Sequence, residues 1–220
     1  MPVEKITHEK IINAVLKSAF VNSVGATSLA DIAGLLGIKK ASLYNHYESR
    51  EAMVLDTMRY CGDYIKNLSF ISDDLDILAK KYAASSVLKN LAHKWIHAHE
   101  DEQLLQVYSF VESEKYFSSS ASEIIFESRQ KLIDELCRVF NTLFESKKIK
   151  KMNESSKKNR AELFVSILCD FVDKKIVEKK KNIRQNPETG AGELFTEVSD
   201  SKEDFSKIDT AIESFTQLLN

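Results

Sequence analysis

Proline and glycine are scarce in this chain of 220 residues, which holds 2 of the first and 6 of the second. Sandwiches and barrels of short strands need frequent turn formers, so an all-β architecture is excluded and helix is the expected state. Cysteine is also rare: Cys61, Cys137 and Cys169 stand far apart, without the paired spacing of a disulfide framework or a Cys-x-x-Cys metal or redox motif. Reduced, mostly buried thiols are expected. No apolar run approaches the roughly 18 residues of a membrane-spanning helix, and the opening M-P-V-E-K-I-T-H-E-K lacks the apolar core of a secretory signal. A cytoplasmic location with no membrane partner is expected. Gly-rich phosphate loops, nucleophile elbows and metal-hydrolase motifs are missing, so neither an enzyme nor a cofactor is expected.

What is present is the balance of a folded protein, with 43% hydrophobic and 29% charged residues. The net charge of −2 conceals a segregation: residues 1–50 carry +2, 51–146 carry −6, 147–184 carry +8 and 185–220 carry −6. A mildly basic head on an acidic body fits a protein that meets a polyanion through one end. The block from Lys147 to Arg184 is a rival nucleic-acid candidate, but cations at a helix end are commonly solvated and complement its dipole.

The expected fold class is all-α. From Thr7, Ile12, Val15, Leu16, Ala19 and Phe20 recur at spacings of three and four, one face of an amphipathic helix that Gly25 stops. Ser28 and Asp31 form a capping pair for a short second helix reaching about Leu36, and Gly37 supplies a positive-φ reversal. A third short helix covers about Lys39 to Tyr44, and Ser49 caps a fourth bearing Val54, Met58, Cys61, Ile65 and Leu68. Further helices are expected over 75–99, 102–113, 121–147 and 158–181. A long connection from Gln185 to Ser201, with a turn of helix around Leu194-Phe195, precedes a last helix from about Lys202 to Leu219.

Residues 28–47, S-L-A-D-I-A-G-L-L-G-I-K-K-A-S-L-Y-N-H-Y, have the layout of a helix-turn-helix. Ile32, Ala33, Leu36, Ile38 and Leu43 can pack the two helices together. Lys40, Ala41, Ser42, Tyr44, Asn45 and His46 are left to face outward, and such side chains suit phosphates and base edges in a major groove.

Over residues 7–53 the chain resembles the TetR family of bacterial transcriptional regulators, through Ser28, Ile32-Ala33, Gly37, Leu43-Tyr44, His46-Tyr47 and Arg50-Glu51. Two positions depart from the family pattern: Lys39 replaces the usual Ser or Thr cap of the recognition helix, and Ala41 stands where Gly or Pro is common. The resemblance implies phosphate contacts by Ser28, Tyr44, His46 and Arg50. Base reading falls to Lys40, Ser42 and Asn45, and Lys39 adds a second cation near the DNA backbone. It implies a DNA-binding domain over 1–50 and a helical effector-binding and dimerisation domain over 51–220.

One short recognition helix per chain makes a homodimer on a duplex DNA operator the expected partner arrangement. Phe164, Leu168 and Phe171, then Ile208, Ile212, Phe215 and Leu219, form stripes broad enough to serve both a core and a dimer interface. The resemblance implies a cavity for a small, mostly apolar effector among these helices, with Met58, Cys61, Tyr64, Trp95, Tyr108, Phe110, Phe126 and Phe140 as its aromatic and polarisable candidates, and Gly62 can permit close backbone approach or a bend. His93, His97 and His99, with Glu100 or Asp101 nearby, have partial metal-ligand spacing. Without a nearby cysteine or an H-E-x-x-H motif, no metal is expected. The preferred function is a repressor released by its effector. The alternatives are a regulator governed by a protein partner or by no ligand, and a helical interaction scaffold.

Overall fold

The computed structural model describes residues 5–185 and 205–219. The expected connection over 185–201 and the start of the expected last helix therefore lie almost wholly outside the described residues. Ten α-helices and a closing 3₁₀ turn make up the described chain: α1 His8–Asn22, α2 Leu29–Leu35, α3 Lys40–Leu43, α4 Arg50–Lys66, α5 Leu75–Lys81, α6 Ala84–Ala98, α7 Glu102–Glu114, α8 Ser119–Glu145, α9 Glu154–Gln185 and α10 Ser206–Thr216, then Gln217–Leu219. No strand occurs among the described residues. No helix of the described chain is long and apolar enough to cross a membrane.

Two compact units form. The first comprises the described residues up to Leu68 with Gln103–Phe126, and the second Ser69–Glu102 with the described residues from Glu127 onward. α4 belongs to the first unit, where α1 packs on both α2 and α4.

In the first unit, Ile11, Ile12, Val15, Leu16, Ala19 and Phe20 bury one face of α1, as the spacing requires. The stop differs from expectation. Ser23, not Gly25, takes the positive φ of 97°, and its Oγ accepts from the Ala26 amide while its carbonyl accepts from the Thr27 hydroxyl. A short polar side chain that bonds locally offsets part of the cost of that backbone. Gly37 does take the left-handed conformation, with φ 66°, and the amides of Gly37 and Ile38 return to the carbonyls of Gly34 and Ala33, a Schellman ending for α2.

The helix expected over 75–99 is broken at Tyr82, whose extended backbone separates α5 from α6. The second unit closes around α6, α9 and α10, which pack on one another. Its polar anchor is Glu135 on α8, a buried carboxylate that accepts from the Phe70 amide at 2.7 Å and the Ser69 hydroxyl at 3.1 Å. Removing such an acceptor would strand a buried N–H, which costs about 1–3 kcal/mol.

Phe164, Leu168, Ile208, Ile212, Phe215 and Leu219 are at most 3% exposed within a single chain. The expectation that these side chains meet a partner is corrected. Phe215 lies edge-on to Phe164 at 5.0 Å and stacks on Phe140 at 6.2 Å, so the broad stripes fill their own core. Phe171 is half-buried, with the Lys174 ammonium 5.5 Å from its ring centre.

Candidate nucleic-acid interface

The helix-turn-helix is built by caps and by three apolar side chains. Ser28 and Asp31 form the reciprocal capping box at the start of α2, which holds the Asp31 carboxyl below the usual carboxylate range through the Ser28 hydroxyl and amide. Ile32, Ala33 and Leu43 are buried between α2 and α3, and Leu36 and Ile38 are half-buried at the margin. Lys39 makes no side-chain cap, as an ammonium without an acceptor must. The α-helical part of α3 is accordingly a single turn, followed by tight turns through His46.

Most of the side chains that the pattern points outward lie at the surface, and Lys39 joins them. Lys39, Lys40, Ala41, Tyr44 and Asn45 are exposed, Tyr44 by 51%, while Ser42 and His46 are half-buried. Cations, a hydroxyl, an amide and a phenol thus share one short segment on a rigid support. That inventory matches phosphate anchoring and base-edge contact.

Two expected phosphate contacts hold the scaffold instead. The Ser28 hydroxyl donates to Asp31 and accepts the Asp31 amide, and its own amide also donates to Asp31, so its donors are engaged in the cap. Arg50 donates from Nε to the Thr27 carbonyl at 2.7 Å and from Nη2 to the Val24 carbonyl. Its guanidinium clamps the α1–α2 connection to the start of α4. A basic residue before Glu was visible in the sequence, but nothing in that pattern indicates two carbonyl partners 23 and 26 residues away.

Sequence reasoning also missed the support beneath His46. The buried Tyr47 donates its hydroxyl to Asp56 Oδ2 at 2.6 Å, and desolvation together with that carboxylate pushes the phenol well above its ordinary range. His8 of α1 stacks on Tyr47 with ring centres 4.9 Å apart and meets His46 edge-on at 5.7 Å.

The residues expected around an effector are divided between the two units. In the first, Met58, Cys61, Tyr108 and Phe110 are buried and Tyr64 is half-buried. Burial pushes the Cys61 thiol up to about 12, which leaves it protonated and inert. A Cβ on Gly62 would lie 3.1 Å from Ile124 Cδ1, so the close approach expected there is made by a side chain. Phe126 is 71% exposed and does not line an interior. In the second unit Trp95 packs on Phe70 and His99, and Phe140 on Phe215; both are core aromatics.

The three histidines diverge. His93 bonds Asp209 at 2.7 Å, His97 bonds Glu100 at 2.6 Å, and the fully buried His99 donates from Nδ1 to the Trp95 carbonyl at 2.7 Å. No cluster of three or more metal-ligating side chains occurs among the described residues.

A TetR-family transcriptional regulator of Mesorhizobium loti has a crystal structure that superposes on 96% of this chain and 95% of its own, with a TM-score of 0.55 and 18% identity. The chain has the TetR-family fold. Bacillus subtilis FadR, solved in complex with stearoyl-CoA, shares the TetR fold of this chain over 97% of its length and 98% of that structure, with a TM-score of 0.51 and 13% identity. In sequence, the chain is 24% identical to Staphylococcus aureus IcaR, an HTH-type negative transcriptional regulator of the biofilm operon icaADBC, over 133 residues, which are 60% of this chain and 69% of IcaR. No family model matches the chain.

Proposed function

We propose that this TetR-like protein is a cytoplasmic DNA-binding transcriptional regulator that acts as a homodimer and represses until a small, mostly apolar effector releases it from its operator. The observation that carries the reading is the outer face of α3 and the turn behind it: Lys39, Lys40, Ala41, Tyr44 and Asn45 exposed together on a capped, clamped support. Residues 1–50 would read DNA, and residues 51–220 would bind the effector and the partner chain.

The sign of regulation is supported by the likeness to IcaR, a negative regulator. The effector is supported by FadR, which holds a fatty-acyl ligand in the same fold. Met58, Cys61, Tyr64, Tyr108 and Phe110 are the polarisable and aromatic side chains of the first unit that such a ligand would have to reach by opening the core. For the partner chain, the exposed apolar side chains Leu163 and Val177 of α9 and Leu218 after α10 replace the buried stripes as candidates.

The test is selection of duplexes from a random-sequence pool, followed by fluorescence anisotropy with Tyr44→Ala and Lys40→Ala. Each variant should weaken specific binding by about tenfold, a loss of about 1.4 kcal/mol, and Lys40→Ala should lower the salt slope by about one. Thermal unfolding without DNA should be unchanged. Variants that bind the selected duplex as tightly as the parent would remove α3 as the recognition element.

A further inference from the structure

We propose that the segment joining α8 to α9 is a second nucleic-acid surface, which holds duplex DNA by its phosphates through Lys150, Lys151 and Lys158 without reading sequence. It goes beyond the DNA-binding reading above, whose recognition helix belongs to the first unit, because this surface lies in the second.

Between 145 and 160 the chain carries seven cationic side chains and two carboxylates. Ordinary structural reasons account for four of the cations. Lys147 and Lys148 follow the end of α8, where positive charge complements the helix dipole. Lys157 donates to Asn141 and Glu154 at 2.8 Å each, and Arg160 donates to the carbonyls of Leu218 and Ser156. Farther along α9, Lys174 pairs with Asp170 and Lys175 with Glu100. None of these reasons reaches Lys150, Lys151 and Lys158. All three are exposed, and no hydrogen bond or ion pair engages their side chains among the described residues. α9 begins at Glu154, earlier than its apolar period suggested, so Lys158 stands near the positive end of that helix, where a cation is unfavourable.

The backbone beneath these lysines is fixed. Ile149 is buried, the Lys148 amide returns to the Leu143 carbonyl at 2.9 Å, and the Lys150 amide donates to the Leu219 carbonyl at 3.1 Å. Asn153 Oδ1 accepts the Ser156 amide at 2.8 Å and caps α9. Arg160 reaches the adjoining Leu218 carbonyl, so the loop and the start of α9 are gathered against one turn of chain. Unpaired cations held together in this way repel one another, and a row of anions removes that cost. Duplex DNA carries one negative charge per about 1.7 Å of its axis, so separate lysines can meet separate phosphates without converging. A lysine ammonium is a point charge that suits phosphate and lacks the fork that reads a guanine edge. The segment contributes no aromatic side chain on which single-stranded bases would stack. Its apolar residues Ile149 and Met152 are buried and half-buried, which leaves little to insert into a bilayer.

The experiment loads the full-length protein on an immobilised duplex that the protein itself has selected, then titrates a labelled duplex of unrelated sequence at low salt. The parent should capture the second duplex. Lys150→Gln, Lys151→Gln and Lys158→Gln together should weaken that capture at least about tenfold and lower its salt slope by about two to three. Affinity for the immobilised duplex and the thermal midpoint should not change, and Lys150→Arg, Lys151→Arg and Lys158→Arg together should retain capture. No capture by the parent, or equal capture by the glutamine variant, would overturn the surface while leaving the DNA binding of the first unit in place. If no duplex can be selected, the recognition reading fails by itself, and the same titration on the free protein still decides the surface: equal binding by the parent and the glutamine variant would overturn it.

Discussion

Arg50 and Thr27 are joined by a 2.7 Å hydrogen bond from the guanidinium Nε to the backbone carbonyl. With the second bond to Val24, it holds the α1–α2 connection against the start of α4 and thereby sets where the recognition segment sits. A family pattern alone assigns this side chain to DNA. Its geometry assigns it to the head's own backbone.

Arg50→Lys should therefore destabilise the protein in the absence of DNA. A lysine ammonium cannot reproduce two forked bonds to separate carbonyls, and one part-buried carbonyl left without a donor costs about 1–3 kcal/mol. Chemical denaturation of the free protein reads this directly. A residue that served only to contact phosphate would leave that stability untouched.

His99 sets an acid limit on the second unit. Burial lowers its pKa to about 4, with the Lys175 charge acting in the same direction and the Trp95 carbonyl opposing. The folded state then binds no proton at His99 in a window where the unfolded chain, near 6.5, already does. Stability from this group is full above about pH 6.5 and falls as pH drops towards about 4, by roughly 3 kcal/mol in all. Urea denaturation at neutral pH and near the lower limit, compared with His99→Gln, isolates the contribution; an equal pH dependence in both proteins would refute it.

Lys147 lies between α8 and α9 in a left-handed conformation, φ 58°. The amides of Lys147 and Lys148 return to Phe144 and Leu143 at 2.9 Å each, the same helix ending that Gly37 gives α2. A Cβ at this position is strained where glycine is not. Lys147→Gly should raise stability by about 0.5–1 kcal/mol, seen as a higher thermal midpoint, and DNA affinity should not change.

Local chemistry was legible residue by residue. The Ser28–Asp31 cap, the Gly37 reversal, the Ser49 cap and the missing cap at Lys39 all involve groups within four or five positions, where backbone geometry leaves few alternatives. Ser23 escaped because a positive φ at a non-glycine residue has no strong sequence signal. The Tyr82 break escaped because apolar periodicity continues through it from α5 into α6.

The candidate site was legible only as an outward face. Lys40, Tyr44 and Asn45 could be placed from period and spacing. The helper residues could not: Thr27 with Arg50, Asp56 with Tyr47 and His8 with His46 are pairings of distant segments. The dimer stripes were misread for a related reason. A wide apolar stripe reports how much surface a helix must bury, not whether its own chain or another covers it, and here α6, α9 and α10 cover one another.

By itself the sequence determined the helical class, the helix-turn-helix and the side chains its second helix leaves outward, because periodicity and capping are short-range consequences of backbone geometry. Tertiary structure alone decided which offered groups stay available. Arg50 and Ser28 were taken up by the scaffold, Phe164 and Phe215 by the core, and His8 was carried to the edge of the recognition segment, because burial and long-range hydrogen bonds exist only once the helices have packed.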